Sequence, residues 1–118
     1  MASGAQSPRL NGRKRLNTTV ATGYVGILAV ELHFPENGSL KGKRKYLKSA
    51  KAQLHQRFGA SVAEVDHHDL WQRAGLTVAC AANEHRELQQ LLDAVVRYLG
   101  SQEFELLRAE REVVVPGE

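Results

Sequence analysis

The segment EVDHHDLWQR, Glu64 to Arg73, gathers the side chains best suited to chemistry: Glu64, Asp66, His67, His68 and Asp69. Carboxylates and imidazoles ligate zinc and manganese and serve as general acids and bases. Their spacing argues against both uses. Adjacent histidines on a strand project in different directions, and a metal site needs ligands converging from separated positions. The other histidines, His33, His55 and His85, are scattered along the chain. Glu64 and Asp66 share one face of a strand and could form a carboxylate pair, but nothing nearby supplies a nucleophile, an oxyanion site or a phosphate-cradling glycine loop. Cys80 lies among small apolar residues in mid-strand, the setting of a packed hydrophobe. This reading gives no catalytic residue, no metal and no cofactor. Asp66, His67, His68 and Asp69 are expected to stabilise a turn or make a contact. Trp71 is expected as a hydrophobic anchor over the hairpin or in a subunit contact.

A different kind of signal lies upstream. SLKGKRKYLKSAKAQLHQRFG, Ser39 to Gly59, carries seven lysines and arginines and no carboxylate. Residues 1–39 hold four basic and two acidic side chains, whereas residues 58–118 hold five basic and eleven acidic ones. The formal net charge of +3 therefore conceals a dipolar molecule, a property that bears on association more than on fold. Ser39 suits the N-cap of a helix ending at Phe58, with Gly59 in the stop position. On that helix Leu40, Leu47, Ala50, Leu54 and Phe58 share one face. With Leu47 at zero, Lys51, Arg44, Lys48, Lys41 and Lys45 fall in order from about 40° to about 160°.

Like charges three and four residues apart each cost a few tenths of a kcal/mol. Repeating that cost without an interspersed glutamate points to an anionic partner. Lys41, Lys43 and Arg44 occupy the first turns, where free N–H groups and the helix dipole favour an anion, and Gly42 would let a phosphate approach the backbone. The expected nucleic-acid-binding set is Lys41, Lys43, Arg44, Lys45, Lys48 and Lys51. Competing readings are a solvated face neutralised by the acidic half of the molecule or by a second subunit, and a small phosphorylated ligand.

The remaining elements follow from pattern. Residues 1–22 have few large apolar side chains and no periodicity, and read as a flexible basic tail. Residues 23–116 read as one domain. GYVGILAVELHF is β-branched, aromatic and apolar on both alternating faces, an interior strand covered on both sides at its centre. SVAEVD and AGLTVACAA read as strands joined by HHDLWQR. Asn83 can cap a second helix whose stripe is Leu88, Leu91, Leu92, Val95 and Leu99. FELLRAEREVVV closes as a strand. The order βαββαβ is the split βαβ, or ferredoxin-like, arrangement of the α+β class: a four-stranded antiparallel sheet with both helices on one face. On the other face, Val25, Ile27 and Ala29 of the first strand and Thr77, Ala79 and Ala81 of the third would make a flat apolar patch if they coincide. Such a patch marks an interface, here a homodimer through the sheet.

VGILAVELHFPENGSLKGKRKYLKS, then SVAEVDHHDLWQRAGLTVA, then a helix and ELLRAEREVV, together resemble the YlxP-like family of uncharacterised bacterial proteins. The likeness runs from about Val25 to Val115, and SLKGKR with AEVDHHDLWQRA carries it. The resemblance implies a ferredoxin-like fold, and a gene context of ribosome maturation and translation initiation implies RNA. It implies no activity. The N-terminal residues are an extension relative to the family pattern.

The expected protein is therefore a cytoplasmic, non-enzymatic accessory factor that binds ribosomal or other structured RNA through its basic helix. Its alternative is a dimeric protein-interaction module without a nucleic-acid ligand. The single cysteine excludes an intrachain disulfide, and no apolar run approaches the roughly 20 residues of a membrane span. RNA readers of this fold stack bases on exposed sheet aromatics, but no strand here is aromatic-rich, so contact is expected through phosphates and shape.

Overall fold

The computed structural model describes residues 22–116. The expected N-terminal tail lies almost wholly outside the described residues. Six elements follow in the expected order: β1 (Tyr24–His33), α1 (Leu40–Phe58), β2 (Ser61–Asp66), β3 (Arg73–Ala82), α2 (His85–Gly100) and β4 (Glu105–Val114). The strands form one antiparallel sheet in the order β2-β3-β1-β4, which makes the fold ferredoxin-like α+β.

Alternation along the central strands decides which face is covered. Leu28, Val30 and Leu32 of β1 and Leu76, Val78 and Cys80 of β3 are buried, and with them Leu47, Ala50 and Leu54 of α1 and Leu88, Leu92, Val95 and Leu99 of α2. Burial of each such side chain contributes on the order of 1.5–3 kcal/mol, so this single layer between sheet and helices supplies most of the driving force. Residues of the other parity, Val25, Ile27 and Ala29, pair with Ala81, Ala79 and Thr77 and are only half-buried or exposed. β1 is therefore interior within the sheet but covered on one face only. Its apolar odd-numbered residues, which made it look doubly covered, belong to the open face.

The caps of α1 match the sequence. The Ser39 hydroxyl accepts from the Gly42 N–H at 3.0 Å. Gly59 takes the left-handed conformation (φ 64°), its N–H donates to His55 O, and the Ala60 N–H donates to Leu54 O. That pair of bonds is the Schellman closure, and only glycine enters this conformation without strain. The cap of α2 differs: Glu84, not Asn83, occupies the N-cap and makes no side-chain cap bond. Asn83 sits one residue too early to reach the free N–H groups.

Two β-bulges expel apolar side chains. β2 shifts register between Glu64 and Asp66, and β4 shifts opposite Glu31/Leu32. The extra residues, Val65 and Leu107, are 56% and 47% exposed. The first shift matters most, because it moves Asp66 opposite Gly75, on the open face, while Glu64 opposite Leu76 stays on the helix face. The two carboxylates do not form the same-face pair that the sequence suggests, since one inserted residue reverses every side chain beyond it.

Lys43 is only 2% exposed. Its ammonium donates to the carbonyls of His67 (2.8 Å), His68 (3.2 Å) and Arg73 (3.2 Å), and Glu64 Oε2 lies 3.0 Å away. The Glu64 contact is ionic more than directional, because that oxygen lacks a well-aligned donor. Replacing Lys43 by Met strands three carbonyls and a carboxylate; urea denaturation should show a loss of about 3 kcal/mol. Lys48→Met, at the exposed surface, should change stability by less than about 0.5 kcal/mol.

Candidate nucleic-acid interface

Five of the six expected cations stand on the surface of α1. Lys41, Arg44, Lys45, Lys48 and Lys51 are all exposed. None forms an ion pair among the described residues. Several carboxylates are paired elsewhere: Glu31 with Arg73 and His67, Glu105 with His33, Glu110 with Arg108, Asp93 with Arg111. No direct ion pair within the described residues holds the five exposed cations. The first turn of α1 contains no acidic residue, so nothing local offsets the charge there.

Two residues are corrected. Lys43 does not reach solvent, because its position on the wheel, beside Leu47 and Leu54, turns it into the protein where backbone carbonyls and Glu64 replace its water. Gly42 is not open to a phosphate. An added Cβ would meet Asn37 Oδ1 at 2.1 Å, so the space above this glycine holds the Asn37 amide. Asn37 in turn donates to Ser39 O at 2.7 Å and to Trp71 O at 2.6 Å. Gly42 is needed for that close approach and not for a ligand.

Asn37 and Lys43 therefore tie the β2–β3 connection to the first turns of the basic helix. Gln72 adds bonds from its amide to the carbonyls of Pro35 and Asn37, and the Phe34 N–H donates to Gln72 O. Trp71 is not an anchor packed over the hairpin. It is 55% exposed beside Leu70, itself 48% exposed, on a connection whose backbone is held from beneath.

The open sheet face carries a second cluster. Glu31 from β1, Asp66 from β2 and His67 offer ligand atoms within 4.8 Å of one another. His67 Nε2 lies 2.9 Å from Glu31 Oε2 and 3.7 Å from Asp66 Oδ2. Gly75 makes the approach possible, because a Cβ there would come within 2.8 Å of the Asp66 Cβ. The Arg73 guanidinium binds the other Glu31 oxygen, so the carboxylate already has a cation, and the arrangement works as an ion-pair network joining three strands. Sequence reasoning missed Glu31, which is 35 residues from Asp66 along the chain and becomes its neighbour only through the β1–β3 register. His68 stays apart, with Nε2 at 3.2 Å from Glu64 O, and Asp69 is exposed.

A groove of about 570 Å³ runs between α1 and the end of α2, lined by Lys45, Tyr46, Ser49, Tyr98, Gln102 and Glu103 among others. Glu103 opposes the single cation, Lys45, so this groove is not an anion pocket.

The family model described as Protein of unknown function (DUF503) matches residues 25–111, which contain the basic helix, the tied connection and most of the sheet. The chain belongs to this family. It is also similar to a Bacillus subtilis (strain 168) protein, Uncharacterized protein YlxP, with 27% identity over 77 residues, 65% of this chain and 84% of that one. The YlxP-like resemblance read from the sequence is thereby shown. No helix among the described residues is long and apolar enough to cross a membrane.

The Arg73 guanidinium, with His67, holds the Glu31 carboxyl below its usual range, against the opposing effect of burial. A depressed carboxyl pKa contributes stability that is present above the ordinary value of about 4.3 and is lost as pH falls through the lowered one. Glu31→Gln should lower the melting temperature at pH 7. It should also flatten the decline of melting temperature expected of wild type below about pH 4.

Proposed function

We propose that this protein is a non-catalytic accessory factor that binds structured RNA, ribosomal RNA foremost, through the exposed face of α1, and acts in ribosome maturation or translation in the cytoplasm. The observation that supports this reading is the set of five exposed cations, Lys41, Arg44, Lys45, Lys48 and Lys51, without an ion-pair partner among the described residues. Phosphates spaced along a nucleic-acid backbone satisfy such a row, and release of their counterions drives the association. The groove that Lys45 lines is opposed by Glu103, and the cations otherwise run along the helix surface, which favours a polymer over a small phosphorylated ligand.

A second reading rests on a separate observation. Val25, Ile27 and Ala29 lie in register with Ala81, Ala79 and Thr77 on the uncovered face of the sheet, a flat apolar strip flanked by charged β4 residues. Two copies packed through this strip would form a dimer that leaves both basic helices outermost. The two readings are compatible.

With three to five phosphates neutralised, log K should fall with log salt at a slope of roughly −2 to −4.5, at about 0.7 to 0.9 per contact. Replacing Arg44, Lys48 and Lys51 together by Gln should reduce that slope by about 2 to 3 and weaken binding across RNA sequences, with circular dichroism unchanged. Equal affinity and slope in the variant would leave the basic face a solvated surface. For the dimer, sedimentation at micromolar concentration should show a two-chain species that Ala79→Glu splits without unfolding. A wild type that stays monomeric at high concentration removes that reading.

A further inference from the structure

More than half of the Trp71 surface is open to solvent. Trp71 and Leu70 form an apolar projection; among the described residues the other large hydrophobic side chains, except the bulge residues Val65 and Leu107 and the terminal strand residue Val114, are at least partly covered. Exposure of this kind is ordinarily disfavoured, and tryptophan is the side chain for which it costs most. The backbone beneath it is fixed at several points: Trp71 O accepts from Asn37, Gln72 O accepts from the Phe34 N–H, Arg73 O accepts from Lys43, and the Leu70 N–H donates to His67 O. The indole is therefore presented on a rigid support.

That support is the basic helix itself. Lys43 and Asn37, which hold the connection, sit in and against the first turns of α1, where Lys41, Arg44 and Lys45 are exposed. The connection that carries the ring is thus tied to the N-terminal end of the helix that carries the free cations. Beside the indole lies a shallow depression of about 450 Å³ lined by Asp69, Leu70, Gln72 and Arg73. The Asp69 carboxylate repels a phosphate there but accepts hydrogen bonds from an uncharged ring bearing N–H groups. Free cations on a helix whose first turns hold the loop bearing an exposed flat ring are a combination suited to an unpaired nucleotide, with phosphate on the cations and base on the ring.

We propose that Trp71 is a stacking platform for an unpaired nucleobase, so that the RNA bound by α1 is recognised where a loop, bulge or end supplies a base free of its stack. The inference rests on the RNA reading above and deepens it by naming the element recognised.

Trp71 is the only tryptophan, so its emission reports this position alone. The test titrates full-length protein with a 20-nucleotide single-stranded oligo(A) and with a blunt RNA duplex of equal length, following anisotropy and tryptophan emission together. The single strand should quench emission with the same midpoint as binding, and the duplex should bind with much less quenching. Trp71→Ala should lose about tenfold in affinity for the single strand, Trp71→Phe should keep most of it, and the salt slope should not change in either, because stacking releases no counterions. Binding by wild type with unquenched emission and undiminished affinity in Trp71→Ala overturns the platform and leaves the helix reading standing. Absence of any RNA binding by wild type overturns both. Emission that blue-shifts with protein concentration in the absence of RNA assigns Trp71 to a contact between copies and overturns the platform.

Discussion

The Lys43 ammonium organises the part of the molecule from which function is argued. A primary ammonium has three protons to place, and burial leaves it no water, so it must find acceptors or lose its charge. It finds them in three carbonyls of the β2–β3 connection and in Glu64. One side chain thereby fixes the connection to the helix on both sides of Trp71 and accounts for the partly buried carboxylate of β2. The same interaction explains why this lysine is absent from the surface row, although the surrounding sequence is uniformly basic.

Fold and site differ in how far each could be read from sequence. Periodicity, turn residues and the Ser39 and Gly59 caps gave the element order and the limits of α1, because these signals are local. Side-chain direction on α1 was also legible for Arg44, Lys48, Lys41 and Lys45, at about 60° or more from Leu47, and Lys51, at about 40°, is likewise exposed. Lys43 was not, since a lysine at −40° from Leu47 is as compatible with snorkelling outward as with burial, and only the carbonyls of a distant connection decide the matter. Glu64 and Asp66 were misread for a related reason. A bulge depends on the partner strand, and no residue between them announces it.

Charge and apolar surface are kept apart in this protein. The cations lie on α1, the ion-paired acids lie mostly on the open sheet face and β4, and the uncovered small residues lie between them on β1 and β3. Ala29, Ala79 and Ala81 keep that face low, and Glu110 and Glu112 border it on the outer strand.

The position of β1 has a consequence for how the chain reaches its native state. The first strand made is the centre of the sheet, and its partners are the third strand and the last, with Val25 set against Val114. Loop closure over such separations must precede the reward of pairing, so folding is slow relative to helical proteins of this size. During synthesis β1 must wait, one edge unpaired, until the final strand has left the ribosome. A nascent chain truncated before β4 would expose an apolar central strand as an edge, a template for pairing with other chains.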